Sequence, residues 1–337
     1  MATIKDVAKR AGVSPSTVSR ALSGKVPVDQ ETRERVMEAV RALNYKPNIL
    51  AKGLKEGRTN TIGLIVPNIS NPVFPAVARG VEDVAREHGY TVILCNTDED
   101  IEAEKDYVEK LQKRWVDGFI FATARKESHH ILKLKESGFP VVLVVRHMGQ
   151  AVNAVVIDNY RSSFEAVKYL IDTGHRRICI VNGDTSLTLY RERFDGYRHA
   201  LQAAGLPVLP ELVLNAAGRR DTGYETVTAM IKKGVVPDAV FATSDPRAIS
   251  TIRAIKDCGL NVPDDVSVVG FDALDISAFL DPPLTTVSQP LYEMGARAAR
   301  RLVGMINGEE YEQPKVELVE GDGGVGTILL VTFPPSG

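Results

Sequence analysis

The stretch TIKDVAKRAGVSPSTVSRAL, residues 3–22, predicts two short helices joined by a tight turn. Thr3 and Asp6 have the spacing of a capping box at the start of the first helix. Gly12 is a typical helix stop, because glycine adopts the left-handed backbone conformation without steric cost, and Ser14 can cap the second helix. This pattern is typical of a helix-turn-helix, which places its second helix in the major groove of DNA.

The second predicted helix has one apolar face, formed by Val18, Ala21 and Leu22, and an outer face of small hydroxyls with one arginine. An arginine can hold guanine O6 and N7 with two hydrogen bonds, and hydroxyls suit phosphates or base edges. The alternative is a solvated amphipathic helical hairpin. The candidate DNA-binding residues of this segment are Thr3, Ser14, Pro15, Ser16, Thr17, Ser19 and Arg20.

Charge is distributed unevenly along a chain of 337 residues whose formal net charge is only −2. Residues 1–58 carry 12 Lys and Arg against 6 Asp and Glu, whereas the remainder carries 29 against 37. A basic head on an acidic body is the charge pattern of a nucleic-acid-binding module attached to a partner domain. A third predicted helix, with Val36, Ala39, Val40 and Leu43 as its apolar stripe, closes a small three-helix core in this interpretation.

The rest of the chain, about 280 residues, is long enough for two lobes. Short apolar strands alternate with longer helical stretches, which is typical of parallel sheets with helices on both faces. Strands are expected at 61–67, 90–94, 118–121, 141–145, 178–181, 239–242 and 266–271, and a helix at 73–88. The predicted fold class is α/β, with two doubly wound parallel sheets behind an N-terminal three-helix headpiece. Ligands of such folds bind beyond the carboxyl ends of the strands.

Residues 44–55, NYKPNILAKGLK, predict a break after the third helix and then a helix too short to be stable alone. Together with residues 3–22, this segment resembles the headpiece and hinge of the LacI/GalR family. The resemblance implies that the hinge helices of two subunits pair in the minor groove, where a leucine matched by Leu54 wedges between base pairs. The alternative for Leu54 is an ordinary apolar linker residue, and Lys52 stands where family members usually have arginine. The hinge candidates for DNA contact are Asn48, Lys52, Leu54 and Lys55.

The resemblance extends to the body, which looks like a type I periplasmic sugar-binding protein with a cleft between two lobes. It implies a headpiece at 1–46, a hinge helix and linker at 47–60, and an effector-binding and dimerisation core at 61–337. The first lobe is expected at about 61–158 and 288–315, and the second at about 159–287 and 316–331.

An effector site in the cleft is also implied. Arg193 matches an arginine that hydrogen-bonds effector hydroxyls or carboxylates, a task that suits its planar fork of donors; the alternative is a surface ion pair with Glu192 or Asp195. Asp272 matches an effector-binding aspartate, because a carboxylate accepts hydrogen bonds from neighbouring hydroxyls; the alternative is a helix cap. The effector candidates are Asn71, Phe74, Arg193, Ser244, Asp272 and Gln289.

Some of these residues have equally plausible structural roles. Phe74 can stack on the apolar face of a sugar or pack in the core. Ser244 occupies a ligand position at the start of a helix, and Asp245 after it is expected to be structural. Family members often have small or apolar residues where this chain reads Pro246-Arg247. The arginines at 219 and 220 allow an anionic effector such as a sugar phosphate, but a solvated loop is the favoured interpretation.

A protein effector is the alternative to a small sugar or sugar-derived molecule. Residues 66–71, 79–83 and 289–295 look like those of the catabolite control regulators of Gram-positive bacteria. In that subgroup a serine-phosphorylated phosphocarrier protein activates the dimer. Arg297 and Arg300 lie three residues apart on a predicted helix and could pair with a phosphate.

Other classes of protein are not favoured by the sequence. No signal-peptide core or membrane-length apolar run is expected, which argues against a free solute-binding protein and for a cytoplasmic location without membrane contact. The resemblance implies a homodimer associated with the nucleoid. No enzyme, metal or cofactor motif is present, since the glycine-rich residues 321–326 lack a strand-helix context. Cys95, Cys179 and Cys258 are expected to be reduced thiols. The sequence therefore predicts a sequence-specific transcriptional regulator, most simply a repressor, that binds operator DNA.

Overall fold

In the computed structural model, the described parts of the chain are residues 2–23, 27–45, 58–113, 116–216, 223–309, 315–320 and 328–329. The chain divides into two compact units, residues 1–59 and residues 60–337. The first unit is called the head here and the second the body.

The head contains three helices, α1 (Ile4–Ala11), α2 (Pro15–Ser23) and α3 (Gln30–Ala42). The predicted capping box is confirmed, since the Thr3 hydroxyl accepts from the Asp6 amide and the Asp6 carboxylate accepts from the Thr3 amide at 2.8 Å. Gly12 ends α1 with φ 66°, the left-handed conformation that glycine was expected to supply. The Thr17 amide donates to the Ser14 hydroxyl at 3.2 Å, which confirms the cap of α2.

The head has its own hydrophobic core, centred on one valine from each helix. Val7, Val18 and Val36 are fully buried, and Val40 and Leu43 pack against them as partly buried residues. On the opposite side of α2, Ser16 and Arg20 are exposed. The predicted assignment of the two faces of α2 is therefore confirmed.

The body is α/β throughout. In chain order its elements are β1 (Thr61–Val66), α4 (Val73–Glu87), β2 (Thr91–Asn96), α5 (Ile101–Gln112), β3 (Gly118–Phe121), α6 (His129–Glu136), β4 (Val141–Val144), β5 (Ala154–Val156), α7 (Asn159–Asp172), β6 (Ile178–Asn182), α8 (Thr188–Ala203), β7 (Val213–Asn215), α9 (Tyr224–Lys232), β8 (Ala239–Ala242), α10 (Asp245–Asp257), β9 (Ser267–Asp272), β10 (Thr285–Ser288), α11 (Leu291–Ile306), β11 (Val316–Leu318) and β12 (Ile328–Leu329). Two 3₁₀ turns, Pro210–Leu212 and Asp275–Phe279, complete the described elements.

The strands form two six-stranded sheets, one in each lobe. The first has the order β11-β5-β4-β3-β1-β2 and the second the order β12-β10-β9-β8-β6-β7. All described pairings between strands are parallel except that of β10 with β12, which is antiparallel. The predicted architecture of two parallel-sheet lobes is confirmed.

One predicted boundary between the lobes is wrong. Residues 316–331 were assigned to the second lobe, but Val316 to Leu318 pair with β5 of the first sheet. The Val319 amide also donates to the Val156 carbonyl at 2.8 Å, and this bond extends the pairing. The chain passes to the second sheet only afterwards, where Ile328 and Leu329 pair with β10. Val316 is partly buried against the first-lobe core, which explains why this short strand stays there.

Glycines bring the main helices of each lobe into close contact. A β-carbon added to Gly80 on α4 would lie 2.0 Å from the Tyr292 carbonyl oxygen on α11, and one added to Gly295 would lie 2.1 Å from the Val77 carbonyl oxygen. In the second lobe, a β-carbon at Gly196 on α8 would lie 2.3 Å from the Tyr160 carbonyl oxygen on α7. Both helix pairs therefore pack backbone to backbone, which only glycine permits at these positions.

Cys95 and Cys179 are buried thiols and Cys258 is a half-buried one, all unbridged as expected. No helix within the described ranges is long and apolar enough to cross a lipid bilayer.

Candidate functional site

Unusual backbone conformations collect where strands of both sheets end. Non-glycine residues with positive φ include Asp98 and Glu99 after β2, Val145 after β4, and Asp272 and Ala273 at the end of β9. Valine is rarely found there, because a β-branched side chain crowds the backbone. Strained residues of this kind tend to cluster at ligand sites. An effector site is therefore expected at the carboxyl ends of the strands.

Arg193 is the centre of the second-lobe half of this region. Its Nε donates to the Asn159 side-chain oxygen at 2.9 Å, and its Nη1 donates to the Thr243 carbonyl at 2.7 Å. Its guanidinium carbon lies 3.6 Å from the centroid of the Phe271 ring. The side chain is only 3% exposed, so the alternative of a surface ion pair with Glu192 or Asp195 is wrong.

Asp272 faces this guanidinium from the end of β9. Its Oδ1 lies 4.0 Å from Arg193 Nη1 and accepts a hydrogen bond from Gln289 Nε2 at 2.5 Å. Burial raises the pKa of Asp272 to about 7, although Arg193 acts in the opposite direction. Burial also lowers the pKa of Arg193, with Asp272 opposing it. The carboxylate accepts from the Gln289 amide, and a backbone hydrogen bond from Asp245, the first residue of α10, also favours its charged form. The helix-cap alternative therefore agrees with this contact as well.

Ser244 occupies the N-cap position of α10 and Asp245 is the first residue of that helix. Asp245 is fully buried and accepts from the Leu274 amide at 2.8 Å, the Ser277 hydroxyl at 2.7 Å and the Thr286 hydroxyl at 2.5 Å. Its role is structural. The Ser244 hydroxyl makes no helix cap and instead accepts from Arg247 Nη1 at 3.1 Å.

Asn71 and Phe74 lie at the start of α4, on the first lobe. The Asn71 side-chain oxygen accepts from the Val73 amide at 3.2 Å, which is a local turn contact. Phe74 is 5% exposed and belongs to the hydrophobic core. Among the predicted effector residues, the structure therefore brings together Arg193, Asp272 and Gln289. Ser244 accepts a hydrogen bond from Arg247. Asn71 and Phe74 take no part in the hydrogen bonds of this group.

The first lobe contributes an ion cluster that sequence reasoning missed. Arg146, directly after Val145, is buried and donates to Glu99 at 2.5 Å and to the Thr123 carbonyl at 3.3 Å. Arg125 pairs with the same carboxylate. Burial alone raises the pKa of Glu99, but the two arginines outweigh it and lower that pKa. The signal was present in the sequence, since Glu99, Arg125 and Arg146 each follow a predicted strand.

One contact links residues beyond the strand ends of the two lobes, and a second one anchors it within the second lobe. His147 of the first lobe lies 2.9 Å from the Glu192 carboxylate of the second, and the other Glu192 oxygen accepts from Asn159 at 3.3 Å. Asn159 therefore forms hydrogen bonds with both Arg193 and Glu192. It starts α7 directly after the chain enters the second lobe, a position that sequence reasoning did not single out.

The remaining predicted contacts are distributed as follows. Thr3 and Ser14 serve as helix caps, and Thr17 and Ser19 are half-buried beside the exposed Ser16 and Arg20. The hinge candidates Asn48, Lys52, Leu54 and Lys55, and the arginines at 219 and 220, lie outside the described residues.

The two arginines proposed for a phosphocarrier share a partner. On α11, Arg297 donates to Glu293 at 2.8 Å and to Glu317 at 3.1 Å, and Arg300 donates to Glu293 at 3.4 Å. They lie on one helix face, as expected from their spacing. Both are already engaged with carboxylates, so a phosphate would compete with these ion pairs.

Comparison with known proteins adds to this geometry. Residues 3–48 match bacterial regulatory proteins of the lacI family. Residues 59–320 match the periplasmic binding proteins and sugar binding domain of the LacI family. The chain belongs to the LacI family. It is a DNA-binding transcriptional repressor of the type that responds to a sugar or another metabolite, and the predicted fold class and general function are confirmed.

Curated relatives cover nearly the whole LacI-family chain. Catabolite control protein A of Priestia megaterium is 37% identical over 318 residues, which cover 94% of this chain and 96% of the relative. The ribose operon repressor of Halalkalibacterium halodurans is 36% identical over 321 residues, with 94% of each chain covered. These relatives are regulators and not enzymes.

Solved structures show the same likeness. The lac repressor dimer bound to operator and the anti-inducer ONPF matches with a TM-score of 0.84 at 26% identity, over 94% of this chain and 96% of that chain. The complex of the transcriptional regulator CelR with cellobiose matches with a TM-score of 0.70 at 33% identity and the same coverage.

Proposed function

We propose that this LacI-family regulator binds a pseudo-palindromic operator as a homodimer and is switched by a small sugar or sugar-derived effector in the cleft between its lobes. The observation that carries the effector site is the buried pair of Arg193 and Asp272. Membership of the LacI family supports binding to an operator. The similar structures that contain a sugar or an anti-inducer support a small molecule as the effector.

The geometry of Arg193 suits a hydroxyl-rich ligand. Phe271, Asn159 and Thr243 hold the guanidinium through its face, its Nε and its Nη1. Nη2 makes no hydrogen bond with any residue of the described ranges, so this nitrogen is the donor offered to an effector. A rigid guanidinium loses little conformational freedom when it binds a ligand.

The geometry of Asp272 complements this donor. A hydroxyl group placed between Asp272 and Arg193 would donate to the carboxylate and accept from the guanidinium. Such a bond favours the charged form of the carboxylate. Burial disfavours that charged form when no ligand is bound. The ligand therefore gains more from this pair than an isolated surface ion pair could give.

Dimerisation in this proposal uses apolar side chains that the single chain leaves exposed. Ile276 and Phe279, on the 3₁₀ turn of the second lobe, are 52% and 72% exposed. Large exposed apolar side chains that lie close together typically mark an interaction surface. Two headpieces held by such a dimer would meet two operator half-sites.

The switch itself is a shift between two lobe arrangements. An effector changes operator affinity only if it binds the two arrangements with different affinity. Because His147 and Glu192 join the lobes, a ligand beside Arg193 acts close to an existing contact between them.

A second candidate effector is the serine-phosphorylated phosphocarrier protein. Arg297 and Arg300 support it, because they lie on one face of α11 and keep 40% and 55% of their side-chain surface exposed.

A thermal-shift screen of the purified chain against sugars, sugar phosphates and the phosphorylated carrier separates the two effectors. We expect a small molecule to raise the unfolding temperature and to change operator affinity. Asp272→Ala is expected to abolish that response and to leave operator affinity in the absence of ligand unchanged. A normal response in Asp272→Ala would remove Asp272 from the site, and a response to the carrier alone would favour the second candidate.

A further inference from the structure

Arg247 on α10 is a cation that the Arg193–Asp272 pair does not explain. Its Nη1 donates to the Tyr190 and Ser244 hydroxyls, each at 3.1 Å, and its Nη2 donates to the Ala216 carbonyl at 3.4 Å. All of these acceptors are uncharged. Its Nε is buried and has no hydrogen-bond partner. Within the described ranges, no carboxylate pairs with Arg247.

Tyr190 places this cation beside the proposed effector site. Its ring lies 4.8 Å from the Arg247 guanidinium and 5.8 Å from that of Arg193, so both arginines approach one aromatic ring. The ring fits closely over the backbone of Gly183, where a β-carbon would lie 2.5 Å from it. The position of Tyr190 is therefore fixed by the end of β6, and with it the arrangement of the two guanidinium groups.

Positive charge is in excess around this ring. Glu99 is taken up by Arg146 and Arg125, and Glu192 is bonded to His147 and Asn159. Asp272 faces Arg193 at 4.0 Å, and Glu192 acts on the same guanidinium more weakly. Arg247 also lowers the pKa of Arg193, although burial is the larger cause, which shows that the two cations are close enough to repel each other. A cation that is half-buried without a counter-charge costs free energy, and an anionic ligand group offsets that cost.

We propose that Arg247, together with Arg193 across the Tyr190 ring, forms an anion subsite of the effector cleft, so that the effector carries a phosphate or carboxylate group. This proposal rests on the proposed function, because it assigns the chemical class of the ligand in the same cleft. An arginine fork binds either oxyanion with two hydrogen bonds. The sugar hydroxyls then lie towards Asp272 and the anionic group towards Arg247.

The test measures anion binding to the full chain in the absence of DNA. Inorganic phosphate and acetate are titrated separately at pH 7 and constant ionic strength, with chloride as the reference salt, and binding is followed by thermal shift. The variants are Arg247→Gln and the control Arg253→Gln. Arg253 lies on the same helix, is 73% exposed and pairs with Asp257 at 2.8 Å, so its loss removes the same charge away from the cleft.

We expect phosphate, acetate or both to stabilise the wild-type chain and Arg253→Gln equally. Arg247→Gln should bind the same anion at least tenfold more weakly, and its unfolding temperature without anion shows that it folds. The stronger of the two anions identifies the ligand group. Equal binding by Arg247→Gln, or no binding to the wild-type chain, would overturn the proposal. Asp272→Ala removes the negative charge that lies 4.0 Å from Arg193, so it should bind the anion at least as tightly as the wild-type chain does. Loss of the sugar response in this variant together with retained anion binding separates a failure of the hydroxyl site from a failure of the anion subsite.

Discussion

Arg193 and Asp272 lie 4.0 Å apart in a buried part of the cleft, yet burial drives each of them towards its neutral form. The distance is long for an ion pair, because Arg193 is held by Phe271 and two oxygen acceptors, while Asp272 is held by Gln289. The two charges thus face each other without a direct short bond. Their ionisation is sensitive to pH and to any polar group placed between them.

Asp272→Asn should change the pH dependence of stability. The native carboxyl has a pKa of about 7 against an ordinary value of 3.8, so between these values the folded chain binds a proton that the unfolded chain has lost. The free energy of unfolding contributed by this group therefore falls as pH rises from about 4 to about 7 and is constant above. The asparagine variant lacks this loss. Its stability relative to wild type should increase over this range by up to about 4 kcal/mol.

Urea denaturation at several pH values, followed by circular dichroism, measures this difference. A stability difference that stays constant from pH 4 to pH 8 would contradict the raised pKa of Asp272. The same titration above pH 7 serves as the internal control, because the difference should no longer change there.

Arg193→Lys should raise the effector concentration needed for half-maximal response at least tenfold. A lysine keeps the charge but loses the planar fork that bonds Asn159 and Thr243 and stacks on Phe271. The matched control is Arg198→Lys on the same helix, since Arg198 is 39% exposed and pairs with Asp195. The measurement is operator release by the small molecule found in the screen. If both variants respond alike, Arg193 does not bind the effector.

Gly80→Ala and Gly196→Ala should each destabilise the body. Alanine favours a helix over glycine by about 1 kcal/mol, but the added β-carbon would lie 2.0 or 2.3 Å from a backbone carbonyl oxygen of the neighbouring helix. The helices must separate, and overpacking of this kind costs roughly 1–3 kcal/mol. The clash should outweigh the helix preference.

Chemical denaturation of the two glycine variants measures the loss, with Arg79→Ala as the control. Arg79 is adjacent to Gly80 but exposed, and it pairs with Asp83 on the same helix, so its removal should cost little. A gain in stability in either glycine variant would show that the helices can move apart freely.

Arg20→Ala should relax the preference for one operator base pair by about 1–3 kcal/mol. The exposed position of Arg20 on α2 supports a contact with a base edge. Arg35→Ala on α3 is the control for the loss of one positive charge from the head. Binding assays over a set of operators with single base changes give the answer, and unchanged discrimination by Arg20→Ala would contradict the assignment.

Local signals in the sequence were sufficient to predict the helices of the head and the order of strands and helices in the body. The caps at Thr3 and Ser14 and the strand at Gly118–Phe121 are local patterns, and the structure has them where they were expected. The pairing of Val316–Leu318 with the first sheet was not predictable, because the partner of this three-residue strand lies 162 residues earlier in the chain.

The candidate site was predicted only in part. Arg193, Asp272 and Gln289 were found through the family resemblance, and the structure groups them. Arg146 was missed although it directly follows a predicted strand. Tyr190 was missed because no local pattern reveals that the start of α8 lies beside the Arg193 and Arg247 guanidinium groups. Phe271 reads as a core residue in the sequence, and only the fold shows that its ring carries the Arg193 guanidinium.

The position of Gln289 gives the cleft a mechanical role. The chain passes between the sheets at 157–158, at 289–290 and again between β11 and β12, so a rotation of one lobe against the other must twist all three connections. Gln289 belongs to the second connection and bonds Asp272 directly. An effector that takes over the Asp272 carboxylate, as proposed, would break a hydrogen bond made by one of these connections and would thereby couple ligand binding to lobe rotation.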